Sequence, residues 1–240
     1  MALSAELGGR QAVVTGASSG IGRAVAAALA RADADVLLVA RSPEGLHAVA
    51  TDLAGAGGVL KVCPADVATE EGVARVVDAA GGPADIVVHA AGAFDLAPLW
   101  ETEVSAFDAM LAVNLRASFL LVRAFVPGML GRGRGDVVTI GSIAGRQAFP
   151  SNGAYSASKF GVRGMHAVLA AELRGTGVRA TFVEPSATDT PLWETIDRDR
   201  NPGLPEAAAM LGPEAVADAV VFAVTRPRDV VVPNLILERA

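Results

Sequence analysis

Seven short runs rich in valine and isoleucine, 11–15, 36–40, 59–63, 85–89, 136–141, 178–184 and 230–237, alternate with segments of helical character at 21–31, 43–54, 70–79, 102–126, 155–174 and 213–225. No other feature restricts the fold as much. Most runs are continuously apolar, as strands buried on both faces are. Parallel neighbours need crossover connections, so the pattern predicts a doubly wound, mostly parallel seven-stranded α/β sheet with helices on both faces, Rossmann-like. At 240 residues and 52% apolar content the chain fits one large domain or two small ones. With no long linker, repeat or low-complexity stretch, 1–240 reads as a single domain. Ligands of such sheets bind beyond the carboxyl ends of the strands, where the strand order reverses.

Charge and composition narrow the partners. A net charge of -6 argues against nucleic acid or an anionic membrane and favours small molecules. Arg31, Asp33 and Asp35 cut one apolar region and Asn114, Arg116 and Arg123 another, so no run is expected to span a bilayer. Residues 1–9 have neither a basic nor an apolar leader segment, and a cytoplasmic location is expected. The single cysteine, Cys63, and the scattered His47, His89 and His166 have no metal-ligand spacing, so no metal site is expected. Arg132 and Arg134 lie among glycines at 131–135 and read as a solvated turn rather than an RNA-binding patch.

Directly after the first run comes Thr15-Gly16-Ala17-Ser18-Ser19-Gly20-Ile21-Gly22, leading into a helix. Glycines there let the backbone turn tightly and approach a pyrophosphate, while free N–H groups at the helix start attract its charge. Tyr155, the only tyrosine, and Lys159 stand four residues apart on one face of a helix. Of twenty basic residues only Lys61 and Lys159 are lysine, which marks Lys159 as a place where a compact ammonium is wanted. A nearby ammonium would favour the phenolate and bring Tyr155 toward the range useful in acid–base catalysis.

The spacing Gly16-x-x-x-Gly20-x-Gly22, followed in order by Asn114, Ser142, Tyr155 and Lys159, resembles the short-chain dehydrogenase/reductase family over nearly the whole chain. The resemblance implies an NADP(H)-dependent oxidoreductase moving hydride between nicotinamide and a carbonyl or alcohol. Tyr155 would be the proton donor or acceptor, Ser142 the holder of the substrate oxygen, Lys159 a partner of the nicotinamide ribose, and Asn114 the support of a helix kink and a proton-relaying water. Serine in a turn and a buried hydrogen-bonded amide are the plainer readings of Ser142 and Asn114.

The cofactor would lie on Gly16, Ser18, Ser19, Gly20, Ile21 and Gly22. At the end of the second strand an acidic residue selects NAD and an arginine admits the extra phosphate of NADP. Arg41 stands there with Ser42 as a helper; a solvated surface arginine is the alternative. Asp66 and Val67 match the adenine-contacting position, with a turn role for Asp66 as the alternative. Ala91 and Gly92 would lie against the cofactor, and Pro185, Thr188 and Thr190 near its carboxamide. The chain departs from the family at His89 and Ala90, where asparagines are usual, and at Ser186, where glycine is.

The long stretch 186–212 reads as a substrate lid. Ala93, Phe94, Ile143, Phe149, Leu192 and Trp193 are candidate pocket walls or ordinary core. Arg146, Arg198 and Arg200 are candidates to meet a substrate carboxylate or plain surface charge. The tail from Ala215 resembles reductases acting on small 3-hydroxy or 3-oxo acids and related polar aldehydes or ketones, with Glu238 in place of an expected basic residue. A 3-oxoacyl carrier-protein reductase and a catalytically silent NADP-binding sensor or scaffold are the alternatives. A homotetramer, or a dimer, is the assembly the resemblance implies.

Overall fold

The computed structural model describes residues 7–197, 201 and 203–240. Strands β1 (Gln11–Thr15), β2 (Asp35–Ala40), β3 (Leu60–Pro64), β4 (Ile86–His89), β5 (Gly135–Ile140), β6 (Val178–Pro185) and β7 (Asn234–Leu237) form one sheet of order β3-β2-β1-β4-β5-β6-β7. Every adjacent pair is parallel, where the sequence pattern asked only for mostly parallel pairing. The order reverses between β1 and β4, which opens the ligand-binding crevice above their carboxyl ends.

The strands are apolar on both faces because helices cover both. Ala12, Val14, Val36, Leu38, Ile86 and Val88 pack against α1 (Gly20–Arg31), α2 (Pro43–Asp52) and α7 (Pro213–Val224). Their neighbours Val13, Leu37, Val39 and Val87 face α3 (Glu70–Ala80), α5 (Ala117–Arg132) and α6 (Gly153–Glu172). Each buried valine or leucine contributes roughly 1.5–3 kcal/mol, so the alternation builds two cores from one sheet. Local signals set the helix ends. Ser42 and Thr69 cap α2 and α3 through their hydroxyls, and left-handed Gly81 and Gly133 end α3 and α5.

Two elements differ from the sequence pattern. The stretch expected as one helix over 102–126 is α4 (Val104–Leu111), a π-helical turn at Ala112–Arg116, and α5, which continues past Pro127 to Arg132. Arg132 anchors that extension by donating to the carbonyls of Pro83 and Ala84 at 2.7 and 2.8 Å. The whole rod, Val104–Arg132, is 29 residues long and apolar enough by composition to cross a bilayer, contrary to the reading of the interrupted sequence. Its apolar residues Leu120, Leu121, Phe125 and Met129 are instead buried in the core beneath the sheet.

The last strand is shorter than expected. Pairing with β6 starts at the Pro233 carbonyl, which accepts from Phe182 N–H, and Val230 and Val231 stay exposed before it.

At the amino end of the sheet, Asp136 opens β5 almost fully buried. It receives Arg179 at 2.6 Å, Arg228 at 3.1 Å, and Arg10. Arg179 also donates to the carbonyls of Val224, Arg226, Pro227 and Val230, tying β6 to the segment that follows α7. Removing one partner of a buried pair leaves an uncompensated charge. Asp136→Asn is therefore expected to lower unfolding stability by about 3–5 kcal/mol in urea titration. Arg228→Ala, whose side chain is 46% exposed, should cost about 1 kcal/mol or less.

Candidate active site

The crevice is built from the loops that leave β1, β4, β5 and β6. After β1 the chain turns through Gly16 and Gly20, both left-handed at φ +69° and +51°. A Cβ on Gly16 would lie 2.8 Å from the backbone of Ala91, and one on Gly22 would lie 2.2 Å from the Gly16 carbonyl oxygen, so only glycine lets these segments meet. Helix α1 begins there with Ser19 at its cap position, no side-chain cap hydrogen bond and no acidic residue in the first turn. Its first N–H groups are left for an anion, in contrast to the capped starts of α2 and α3.

On the β2 side of the reversal, Arg41 is exposed and makes no ion pair or side-chain hydrogen bond among the described residues. Ser18 packs beside Gly45 and Ser42 at the start of α2. The Ser42 hydroxyl accepts from Gly45 N–H at 3.0 Å and donates to Glu44 at 3.2 Å, so its local task is capping. Asp66, beyond β3, accepts from Ala68 N–H at 3.0 Å and shapes the turn into α3, with buried Val67 beside it. A dinucleotide laid across the β1–β4 reversal fits these groups: pyrophosphate at the bare helix start, adenosine end toward Arg41 and Asp66, and nicotinamide end toward β5.

On the β5 side, Ser142, Tyr155 and Lys159 line one cavity of about 520 Å³. Ile21, Gly92, Pro185, Thr188 and Thr190 line it too, as do all six expected wall residues, from Ala93 and Phe94 to Trp193. Ser142 lies two residues beyond β5 and accepts from Ala144 N–H at 3.1 Å, and its hydroxyl acts on Tyr155 in the direction that favours the phenolate. Burial pushes the Tyr155 phenol up to about 12, against the opposing bond from Ser142. Burial likewise pulls the Lys159 ammonium down to about 8. The expected lowering of the tyrosine by its lysine is not found: desolvation dominates, and the opposing influence on Tyr155 comes from Ser142. Lys159 Nζ sits 5.6 Å from the Tyr155 ring centre and donates to the Ile140 carbonyl at 3.1 Å.

Asn114 lies in the π-helical turn, 1% exposed. Its Oδ1 accepts from Ala93 N–H at 2.8 Å, and its Nδ2 donates to the Ala93 carbonyl and to Ser158 Oγ, each at 2.9 Å. It joins the loop after β4 to α6, the helix that carries Tyr155 and Lys159. Thr15, which sequence reasoning quoted only as a flank of the glycine turn, organises the same loop. Its hydroxyl accepts from the N–H groups of Ala90 and Ala91 at 3.2 Å and meets His89 Nδ1 at 3.2 Å. His89 is buried and driven down to about 4 chiefly by desolvation, so it is a neutral strand residue near Lys159. Ser186 has no left-handed φ, and its N–H bonds the Leu237 carbonyl at 2.8 Å; the position has no need of glycine.

The candidate carboxylate receptors fare differently. Arg146 is turned to buried Glu184 at 2.7 Å, which Arg163 also meets at 3.0 Å. Arg198 and Arg200 lie outside the described residues. Within the stretch 186–212, Thr188 bridges to Leu211 and donates its hydroxyl to the Ser186 carbonyl at 3.0 Å, while Thr190 packs on Gly20.

Similarity to known proteins agrees with this geometry. The short chain dehydrogenase family model matches residues 10–201. D-threitol dehydrogenase of Mycolicibacterium smegmatis is 38% identical over 223 residues, which cover 90% of this chain and 86% of that protein. Glycine betaine reductase ATRR of Emericella nidulans is 39% identical over 238 residues, 97% of this chain but only 19% of that much longer protein. A metagenomic short-chain oxidoreductase solved in complex with NADP superposes with a TM-score of 0.82 at 33% identity, covering 98% of this chain and 99% of that one. The family match runs from the start of β1 into the loop after β6, through every segment that shapes the crevice, and the chain belongs to the short-chain dehydrogenase family of NAD(P)-dependent oxidoreductases.

Proposed function

We propose that the protein is an NADP(H)-dependent oxidoreductase that interconverts a carbonyl compound and its alcohol, with Tyr155 as the general acid or base. The observation that carries this is the placement of Ser142, Tyr155 and Lys159 on one cavity beside the bare, glycine-lined start of α1. When bound, the nicotinamide supplies or accepts the hydride at the carbonyl carbon. In reduction Tyr155 Oη gives its proton to the carbonyl oxygen, which Ser142 Oγ holds in place; in oxidation the phenolate takes that proton back. Lys159 supplies positive charge beside the tyrosine and reaches toward the ribose. Asn114 keeps α6 and the loop after β4 in register and supports a proton-relaying water at the π-helical turn. Arg41 recognises the extra phosphate, with Ser18 and the start of α2 next to it. Leu192, Trp193 and Leu204 line the cavity from the stretch 186–212, which supports a lid role for that stretch.

A homotetramer accompanies this reading. Helices α5 and α6 leave Phe119, Phe160 and Val168 about half exposed, and α7 and β7 do the same with Phe222 and Ile236. Two separate apolar faces are what a dimer of dimers buries. Light scattering should give four chains per particle, and Phe160→Glu with Val168→Glu should give a smaller one.

Tyr155→Phe is expected to lower kcat by about 10²–10⁴-fold while NADPH affinity, read by fluorescence titration, stays nearly constant. Because burial raises the phenol, its proton is held at neutral pH and the base form is scarce. Alcohol oxidation should therefore accelerate as pH rises from 6 to 9, and carbonyl reduction should not; steady-state rates in both directions check the sign. Arg41→Ala should raise the NADPH KM by about tenfold or more, the loss of a charged hydrogen bond, and leave the NADH KM nearly unchanged.

A further inference from the structure

The catalytic cavity has one strongly marked wall. Phe94 stands edge-on to Tyr155, ring centres 4.8 Å apart at 76°, and edge-on to Trp193 at 5.0 Å and 67°. Trp193 is fixed in turn by its indole N–H, which donates to the Thr188 carbonyl at 2.9 Å. The result is a braced aromatic surface running from the reacting phenol into the lid. Phe149 and Leu192 face the same space and remain 37% and 42% exposed, apolar area that no other part of the described chain covers.

Charge is arranged in the opposite sense to an acid receptor. Among the described residues lining the cavity, Lys159 is the one charged group, and it is buried beside Tyr155 with a bond to the Ile140 carbonyl. Of the three candidate arginines near lining residues in sequence, Arg146 is spent on Glu184 together with Arg163, and Arg198 and Arg200 lie outside the described residues. A second depression of about 310 Å³ adjoins across Trp193, and its lining includes Asp189 and Glu194. One buried polar atom on the cavity wall lacks a partner: Asn152 Oδ1, three residues before Tyr155, which is an acceptor. A carboxylate entering here would lose its hydration, find no free cation among the described residues and face oxygen acceptors.

We propose that the substrate is an uncharged carbonyl compound, or the matching alcohol, whose main substituent is an apolar, preferably aromatic, group seated on Phe94, Phe149 and Trp193. A neutral hydrogen-bond donor on that substituent suits Asn152. This rests on the hydride-transfer reading above and narrows it. It also turns away from the small 3-oxo acids suggested by the carboxy-terminal stretch, because the described residues lining the cavity offer the acid group no free counter-ion.

The test uses four ketones with the unmodified protein and NADPH at pH 7, where the acids are ionised: 3-oxobutanoate, its methyl ester, 3-oxo-3-phenylpropanoate and its methyl ester. Each ester should exceed its acid in kcat/KM by about tenfold or more, since the acid pays an unpaired desolvation cost. The phenyl ester should exceed the methyl-substituted one. Trp193→Leu, read alongside circular dichroism to verify folding, should erase that phenyl advantage, so that kcat/KM for the phenyl ester falls at least to that of methyl 3-oxobutanoate. Acids equal to or better than their esters would overturn the assignment of an uncharged substrate, and equal rates for the two esters would overturn the aromatic seat. No NADPH or NADH oxidation with any of the four, nor with simple aldehydes and ketones, would instead bring down the hydride-transfer reading on which the inference stands.

Discussion

The buried amide of Asn114 is the interaction on which the site depends. Its three hydrogen bonds reach Ala93 on the loop after β4 and Ser158 on α6. Lys159 is the next residue on that helix and Tyr155 lies one turn earlier, so both side chains proposed as catalytic inherit their positions from this amide. A side-chain amide serves because the same group must accept from one N–H and donate to two oxygens, which no carboxylate or hydroxyl does. The π-helical turn makes the reach possible by inserting a wider turn where α4 passes into α5. Local helix propensity is given up there, and the compensation is a fully satisfied polar group in a nearly dry interior.

The two ends of the sheet handle buried charge in different ways. At the amino end, Asp136 gathers Arg10, Arg179 and Arg228, a knot that closes the barrel of contacts between β1, β5, β6 and the final segment. At the carboxyl end, Glu184 takes Arg146 and Arg163 close behind the cavity. The second arrangement has a chemical consequence beyond stability. By holding Arg146, it keeps a guanidinium from the cavity wall and leaves that wall to aromatic and aliphatic side chains.

Much of this was legible in the chain because it is written locally. The glycine turn with its strand and helix, the four-residue spacing of Tyr155 and Lys159, and the cavity residues close to them in sequence all follow from short-range pattern. What stayed hidden depends on topology. Arg10, Asp136, Arg179 and Arg228 meet only because parallel pairing brings the starts of β1, β5 and β6 together. Arg146 looked like a candidate for substrate because Glu184 is far away in sequence. Periodicity could not show that the helix passes Pro127, since the carbonyl anchors of Arg132 lie on another segment. The valines at 230–231 resemble a strand by composition, but the register with β6 begins only at Pro233 and leaves them out.

The protonation states of the catalytic pair follow from the same apolar surroundings that shape the cavity. Desolvation disfavours charge of either sign, so it raises the Tyr155 phenol to about 12 and lowers Lys159 to about 8. A neutral phenol is the form that donates a proton, and it is in place before any substrate arrives. Oxidation needs the opposite state, and the chain by itself offers only the lysine and the Ser142 bond to stabilise it. The positive ring of an oxidised nicotinamide, were it bound beside Lys159 as proposed, would supply further favourable charge. On the proposed reading, direction would be coupled to the redox state of what is bound: the reduced cofactor would meet a proton donor, and the oxidised one would help to create a proton acceptor. A wetter or more charged cavity would weaken that coupling, which gives the aromatic wall a role in acid–base control as well as in shape.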